Sequence, residues 1–287
     1  KFDAIHPERN RYDFRAADEI VNFAIANNMA VRGHTLVWLH SNPDWLTRGN
    51  FTRSELIQIL QDHVTSVVSH YRGKVYAWDV VNEIMNGDGT LISSIWLNGI
   101  GPEYIPMVFQ WARQADPNAK LFINDFGIEE INSKSDGLYN LVRNWRNAGV
   151  PIDGIGFQFH SGLPDSGGIG QGASEEETKK YFQTFEENLG RFGALGLEAH
   201  ITEMDVHMEE PPDQEKLREQ AAIYEEALET CLGNSACTTF VMWGFTDRYS
   251  WIPYFLPGHG SALIFDEKYN PKPAYFSLKG VLERNLE

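Results

Sequence analysis

The sequence lacks three features that would each have pointed to a class of protein. It has no run of about eighteen apolar residues, the length that a membrane-spanning helix needs. It has no GxGxxG motif after any predicted strand, which argues against a dinucleotide-binding fold. It also has no low-complexity linker that would divide its 287 residues. We therefore predict one globular domain, residues 1–287.

Positive charge is scarce. Lys and Arg number 24 against 40 Asp and Glu, which gives a formal net charge of −16. This charge repels the phosphates of nucleic acids and anionic lipid surfaces, so we expect neither nucleic acid nor membrane as a partner. Aromatic residues are plentiful by contrast, with eight Trp, and they favour a neutral partner with flat apolar faces, such as a sugar chain.

Cysteine is scarce as well, since the chain holds only Cys231 and Cys237, in the segment CLGNSAC. No second Cys/His pair lies nearby, so a small disulfide is favoured over a metal site. A disulfide is typical of oxidising compartments, and we therefore expect a secreted, extracellular protein. No pattern in the sequence predicts a cofactor or a metal.

Short β-rich runs alternate with longer amphipathic runs along the chain. The predicted strands are 29–38, 75–83, 120–125, 152–160, 197–205 and 238–247, and the predicted helices are 16–28, 53–71, 102–115, 135–148, 175–194, 215–232 and 273–285. Apolar strands separated by helices predict parallel pairing with helices on the outside. The spacing of roughly 34 to 45 residues per unit favours an α/β fold of the (β/α)8 TIM barrel type.

The count of six strands is two short of such a barrel. Because the first predicted element is already a helix, we expect the first one or two strands to belong before Lys1. A barrel without them would have an open edge. Self-association through that edge and the oligomeric state both stay open.

Polar residues cluster at the carboxyl ends of the predicted strands, which is where barrel enzymes carry their active sites. These strand-end residues are His34, Trp38, Asn82, Glu83, Asn124, Asp125, Gln158, His160, Glu203, Asp205, Trp243 and Asp247. The set contains carboxylates, imidazoles, amides and indoles. Glu83 and Glu203 end the second and fifth predicted strands, and two such carboxylates are what glycoside hydrolysis requires.

Six motifs, in the same order, resemble the strand-end signatures of glycoside hydrolase family 10, the endo-β-1,4-xylanases. They are VRGHTLVW (31–38), WDVVNEI (78–84), GIGFQFH (154–160), HITEMDV (200–206), MWGFTDRYSW (242–251) and NPKPAY (270–275). The resemblance covers essentially the whole chain. It implies a retaining endo-1,4-β-xylanase that hydrolyses internal bonds of xylan through a covalent glycosyl-enzyme, with carboxyl groups about 5–5.5 Å apart.

The resemblance implies a role for each site residue. Glu83 would be the general acid/base and Glu203 the nucleophile, supported by His160 and Asp205. The implied substrate-binding residues, with Asn82 on the sugar 2-hydroxyl, are Lys1, His34, Trp38, Asn82, Gln158, Trp243 and Trp251. Xylan or xylo-oligosaccharides would be the partner.

The sequence departs from the family pattern at three places. The family's HSQ after Trp38 is replaced by LHS (39–41), and its NDYN is replaced by NDFG (124–127). The Glu and Asn that would bind the most distant glycone sugar are absent, and only KFD (1–3) remains of that run. We expect these changes to alter binding of sugars away from the cleavage point without removing the chemistry.

Three other readings stay open. A related retaining β-1,4-glucanase would need room for a hydroxymethyl group near Lys1, Trp243 and Trp251. A non-catalytic xylan-binding barrel usually lacks one of the two carboxylates, and both are present here. A metal-dependent isomerase would need oxygen and imidazole ligands on adjacent strand ends.

Overall fold

The structure, a computed structural model, describes residues 1–161, 169 and 173–285. In the first half of the chain the elements are α1 (Phe2–Ile5), α2 (Arg15–Ala26), β1 (Arg32–Trp38), α3 (Asp44–Thr47), α4 (Arg53–His70), β2 (Ala77–Asn82), α5 (Ile95–Ile100), α6 (Tyr104–Ala115), β3 (Lys120–Asp125) and α7 (Ser133–Asn147). In the second half they are β4 (Gly154–Phe157), β5 (His160–Ser161), α8 (Glu175–Gly193), β6 (Glu198–Val206), β7 (Met208–Glu209), α9 (Gln214–Gly233), β8 (Cys237–Met242), a 3-10 helix (Asp247–Tyr249), α10 (Ile252–Phe255), β9 (His259–Gly260) and α11 (Pro273–Arg284).

The strands and helices predicted from the sequence are all present. The seven predicted helices correspond to α2, α4, α6, α7, α8, α9 and α11, and their ends differ from the prediction by at most two residues. The predicted strand 152–160 is divided into β4 and β5. Within the described residues, no helix combines the length and the apolar character that crossing a bilayer requires.

Backbone contacts divide the chain into two compact units. The first unit consists of Lys1–Asp125 and Asp136–Ile155, and the second of Phe126–Ser135 and Gly156–Glu287. The assignment of the whole chain to a single domain stays a prediction.

The first unit contains the parallel strands β1, β2 and β3. Trp38 at the end of β1 pairs with Asn82 at the end of β2, and Asn82 pairs with Asn124 near the end of β3. The three strands therefore present their carboxyl ends at one edge of the sheet. All six residues of β2 are buried, as expected for a strand covered on both faces. Helices α4 and α6, which connect the strands, pack against each other.

The second unit is centred on β6, which is buried from its second residue onward. On one side β6 pairs in parallel with the short strand β5, with His160 opposite Asp205. On the other side it pairs in parallel with β8, from Ala199 opposite Cys237 to Met204 opposite Met242. Helix α9 packs on β8 and on α11. The register thus places His160 and Asp205 side by side.

Two helices begin with capping boxes, and the disulfide expected from the sequence is present. The Thr52 and Ser174 side chains each accept a hydrogen bond from the backbone of the glutamate three residues later, and each glutamate accepts one in return. Cys231, in the last turn of α9, and Cys237, the first residue of β8, form a disulfide with their Cα atoms 5.1 Å apart.

Candidate active site

The ends of β1 and β2 bring three predicted site residues into contact in the first unit. The indole Nε1 of Trp38 donates a hydrogen bond to Oε2 of Glu83 over 2.8 Å. The Nζ atom of Lys1 lies 4.2 Å from the centroid of the Trp38 ring, within the range of a cation–π contact. The Glu83 side chain is only partly buried. Trp38 therefore links Lys1 to the carboxylate of Glu83.

The backbone of Glu83 is held in an unusual conformation. Its φ angle is 54°, in the left-handed region that non-glycine residues seldom occupy. The end of β3 supports it, because the N–H of Glu83 donates to the carbonyl of Asn124 over 2.9 Å. The next two amides, of Ile84 and Met85, donate to Oδ2 of the buried Asp125 over 3.0 and 3.2 Å. This support fixes the direction in which Glu83 leaves the strand, at a cost of about 1–3 kcal/mol in strain.

Asn82 and His34 are held by buried partners in the same unit. Nδ2 of Asn124 donates to Oδ1 of Asn82 over 2.8 Å, and both amides are buried. The Nδ1 atom of His34 lies 3.0 Å from Oδ2 of Asp79. Arg32 donates to both oxygens of Asp79 over 2.7 Å. Both candidate sugar-binding side chains therefore have fixed orientations.

Asp79 received no role from the sequence, although it lies inside one of the quoted motifs. Burial on its own raises the pKa of Asp79, but Arg32 and His34 outweigh that effect, and the pKa is lowered. A charged residue inside an apolar strand needs a partner of opposite charge. This rule alone could have marked Asp79 in the sequence as a residue with a buried partner. The partner, Arg32, lies on the neighbouring strand and could not be identified without the register.

In the second unit the imidazole of His160 lies between two carboxylates. Its Nδ1 is 2.9 Å from Oδ2 of Asp205, and its Nε2 is 3.2 Å from Oε2 of Glu203. All three side chains are buried. The pairing of β5 with β6 creates this arrangement, because it aligns His160 with Asp205 and leaves Glu203 two residues earlier on the same face.

His160 is positively charged at neutral pH in this environment. Burial lowers the pKa of the imidazole, but the charges and hydrogen bonds of Asp205 and Glu203 outweigh burial and raise the pKa to about 10. The imidazolium then donates one N–H to each carboxylate. The imidazolium thus places a positive charge between two negatively charged side chains and relieves the repulsion between them.

The remaining predicted residues of the second unit lie around this trio. Nε1 of Trp251 donates to Oδ2 of Asp205 over 2.7 Å, and its ring centroid lies 5.0 Å from that of His160. The centroid of the Trp243 ring lies 6.4 Å from the centroid of the same imidazole. Gln158 is buried, and its backbone carbonyl accepts the N–H of Glu203 over 3.0 Å.

Asp247 was predicted to end a strand, but β8 ends at Met242 and Asp247 lies in the 3-10 helix, where it has a structural partner. Its Oδ2 lies 3.1 Å from Nζ of Lys272, and its Oδ1 accepts the backbone N–H of Leu263 over 2.7 Å. Burial raises the pKa of Asp247, and Lys272 opposes that effect. Asp247 thus holds together the loop segments that follow β8. In the described part of the chain, no group of three or more His, Cys, Asp or Glu side chains is arranged so that it could hold a metal ion.

Nearly the whole of this chain matches known proteins in sequence and in fold. The family model described as glycosyl hydrolase family 10 matches residues 1–281. Endo-1,4-beta-xylanase B of Thermotoga neapolitana is 49% identical over 288 residues, which cover 100% of this chain and 79% of that protein.

Two solved structures agree with this match. Native xylanase 10B from Thermotoga maritima superposes with a TM-score of 0.92 at 47% identity, covering 99% of this chain and 84% of that chain. Xylanase 10B from Thermotoga petrophila RKU-1, solved in complex with xylobiose, gives a TM-score of 0.92 at 46% identity, covering 100% and 84%. The chain is therefore a glycoside hydrolase and belongs to glycosyl hydrolase family 10.

Proposed function

We propose that this protein is a retaining endo-1,4-β-xylanase, with Glu203 as the nucleophile and Glu83 as the general acid/base. The observation that carries the assignment is the contrast between the two carboxylates. Glu203 is buried and faces the imidazolium of His160, whereas Glu83 is partly buried and accepts from the neutral indole of Trp38. Positive charge beside a carboxylate favours its ionised form, which the nucleophile requires.

The reaction then has two steps. In the first, Glu83 gives its proton to the glycosidic oxygen while an oxygen of Glu203 bonds to the anomeric carbon, and the leaving sugar departs as an alcohol. In the second, Glu83, now ionised, removes a proton from water, whose oxygen bonds to the anomeric carbon as the bond to Glu203 breaks. Two inversions return the product to the β configuration.

The other residues have roles in holding the sugar chain. Asn82, whose amide is fixed by Asn124, would contact the 2-hydroxyl at the cleavage point. Lys1, His34 and Trp38 would bind on the glycone side. In the second unit, Gln158 would contact the sugar, and the indoles of Trp243 and Trp251 would stack against sugar faces.

Xylan as the substrate is supported by the relatives. The Thermotoga neapolitana protein is an endo-1,4-beta-xylanase, and the Thermotoga petrophila enzyme was solved with xylobiose. Neutral xylan also suits a chain with a net charge of −16. We further propose a secreted, extracellular protein, which the disulfide supports.

The test is release of reducing ends from xylan and from soluble cellulose, with Glu203→Gln and Glu83→Gln beside the parent chain. We expect activity on xylan far above that on cellulose, and a residual xylan activity below about one part in a thousand for Glu203→Gln. The matched control is Glu198→Gln, at the start of the same strand, which should keep the parent activity. Equal activity of Glu203→Gln and Glu198→Gln would overturn the assignment.

The configuration of the first product tests retention separately. Proton NMR of xylo-oligosaccharide cleavage should show the β-anomer first, with the α-anomer appearing later by mutarotation. An initial α-anomer would identify a single inverting displacement instead.

A further inference from the structure

The residue before His160 has a strained backbone. Phe159 has a φ angle of 61°, in the left-handed region that non-glycine residues seldom occupy. Its ring is buried and lies 5.1 Å from that of Phe185 and 6.1 Å from that of Phe182. This backbone conformation turns the chain between Gln158 and His160, so it decides where the imidazole lies.

A buried carboxyl group supports that conformation. Oε1 of Glu129 accepts the N–H of Phe159 over 2.9 Å, and the Glu129 side chain is buried. Burial raises the pKa of Glu129, and the amide of Phe159 and the positive charges of Lys134 and His160 oppose that effect. Burying a carboxyl group costs free energy, which its hydrogen bonds must offset. The hydrogen bond to the amide of Phe159 is therefore important for keeping Glu129 in place.

Glu129 is itself anchored to helix α8. Nδ2 of Asn188, a buried residue of that helix, donates to the carbonyls of Ile128 and Glu129 over 2.6 and 2.9 Å. Nε of Arg191 donates to Oδ1 of Asn188 over 2.7 Å, which fixes the orientation of the amide. The backbone from which the Glu129 side chain reaches Phe159 is therefore fixed to α8.

We propose that Glu129 is a positioning residue, which holds His160 against Glu203 by fixing the left-handed backbone of Phe159. The inference rests on the proposed function, because it assigns His160 to the support of the nucleophile. The distance from Nε2 of His160 to Oε2 of Glu203 is 3.2 Å, at the long end of the range for this hydrogen bond. A displacement of the imidazole by less than about 1 Å would therefore break it.

Three substitutions separate positioning from packing. Glu129→Gln keeps the length and an acceptor oxygen, Glu129→Asp keeps the carboxyl group but is one methylene shorter, and Glu129→Leu removes the acceptor. We expect kcat on xylan to stay within about threefold of the parent value in Glu129→Gln. In Glu129→Asp and Glu129→Leu, kcat should fall about a hundredfold, while KM changes less than about twofold. Glu130→Asp, the same shortening one residue further along, is the matched control and should keep the parent kcat.

The pH profile provides the readout that a packing defect would not change. When His160 no longer donates to Glu203, the acid limb of kcat/KM should move to higher pH in the Asp variant and stay in place in the Gln variant. A fall in activity that only follows the folded fraction, with an unchanged acid limb, would overturn the proposal. If Glu129→Leu does not fold, the comparison of Glu129→Asp with Glu129→Gln still tests the positioning role.

A measurement without turnover separates this proposal from the proposed function. In the parent chain, proton–nitrogen NMR of His160 should show that both ring nitrogens carry a proton at neutral pH. In Glu129→Asp the Nε2–H signal should shift or exchange faster, while the Nδ1–H signal stays. Absence of xylan hydrolysis by the parent would refute the function alone, whereas ring signals identical in Glu129→Asp and the parent would refute the positioning role.

Discussion

At the scale of single residues, two glutamates with the same carboxyl group are placed in different surroundings. Glu203 is buried beside a charged imidazole, and Glu83 lies against a neutral indole on a strained turn. Retaining glycoside hydrolysis needs one carboxyl group that is ionised and one that carries a proton. The proposed division of roles between nucleophile and acid rests on these contacts.

Removing the indole donor to Glu83 should reduce catalysis. Trp38→Phe keeps an aromatic ring beneath Lys1 but loses the hydrogen bond from Nε1 to Glu83. Glu83 gains negative charge as it protonates the glycosidic oxygen, and a hydrogen bond to a charged group is worth about 1.5–3 kcal/mol, so kcat/KM on xylan should fall about tenfold to a hundredfold.

A second indole in the same unit provides the control for that variant. Nε1 of Trp45 donates to the backbone carbonyl of His6 over 3.1 Å and does not contact Glu83. Trp45→Phe should therefore leave kcat/KM near the parent value. Equal losses in the two variants, measured by steady-state kinetics, would show that the contact between Trp38 and Glu83 has no specific effect.

The charge on His160 should make stability depend on pH. The folded protein raises the pKa of His160 to about 10 from an ordinary value of 6.5. The charged imidazole therefore stabilises the fold fully below about pH 6.5, and this contribution is lost as the pH rises through about 10. The melting temperature should fall between these pH values in the parent chain and fall less in His160→Gln. If the melting temperatures of the parent and of His160→Gln fell by the same amount between these pH values, the assigned charge on His160 would be contradicted.

The sequence predicted the main site residues because they end strands, but it did not predict their supports. Glu83, His160 and Glu203 could be found from strand-end position and motif order. Asp79 contacts His34 because of the register between neighbouring strands, and Glu129 contacts a single backbone amide, that of Phe159. Neither kind of contact has a sequence pattern. The left-handed φ at Glu83 and Phe159 was likewise invisible, because neither residue is a glycine.

At the scale of elements, helix boundaries were predictable because local chemistry determines them. The helices α4 and α8 begin directly after Thr52 and Ser174, whose capping boxes the sequence displays. The predicted strand 152–160 was wrong in its continuity, since Gln158 and Phe159 interrupt it between β4 and β5. That interruption is where the left-handed Phe159 turns the chain toward the candidate active site.

The disulfide between α9 and β8 should stabilise the fold without affecting catalysis. It joins cysteines six positions apart at the amino end of β8, whereas the site residue Trp243 follows the carboxyl end of that strand. Closing so short a loop is worth about 2 kcal/mol in the chain-entropy model. The double variant Cys231→Ala, Cys237→Ala should therefore unfold at a lower temperature with an unchanged kcat on xylan. An unchanged melting temperature, or a large loss of kcat, would contradict this assignment.

At the scale of the whole molecule, the fold class predicted from alternating strands and helices is confirmed. The family match and the solved relatives establish an α/β fold of the (β/α)8 barrel type. The alternation was readable because short β-rich runs alternate with longer amphipathic runs in the sequence. The expectation of further strands before Lys1 stays a prediction.

The central claim is that Glu203 forms a covalent bond to the sugar. A xylobioside with fluorine at C2 and a dinitrophenolate leaving group tests it most directly. The fluorine slows both the formation and the hydrolysis of the glycosyl-enzyme, and the good leaving group speeds its formation only, so the covalent intermediate accumulates. Mass spectrometry of the digested protein should show one fluoroxylobiosyl group on the peptide that contains Glu203, and no such group in Glu203→Gln. A label on another carboxylate, or inactivation without any label, would contradict the account.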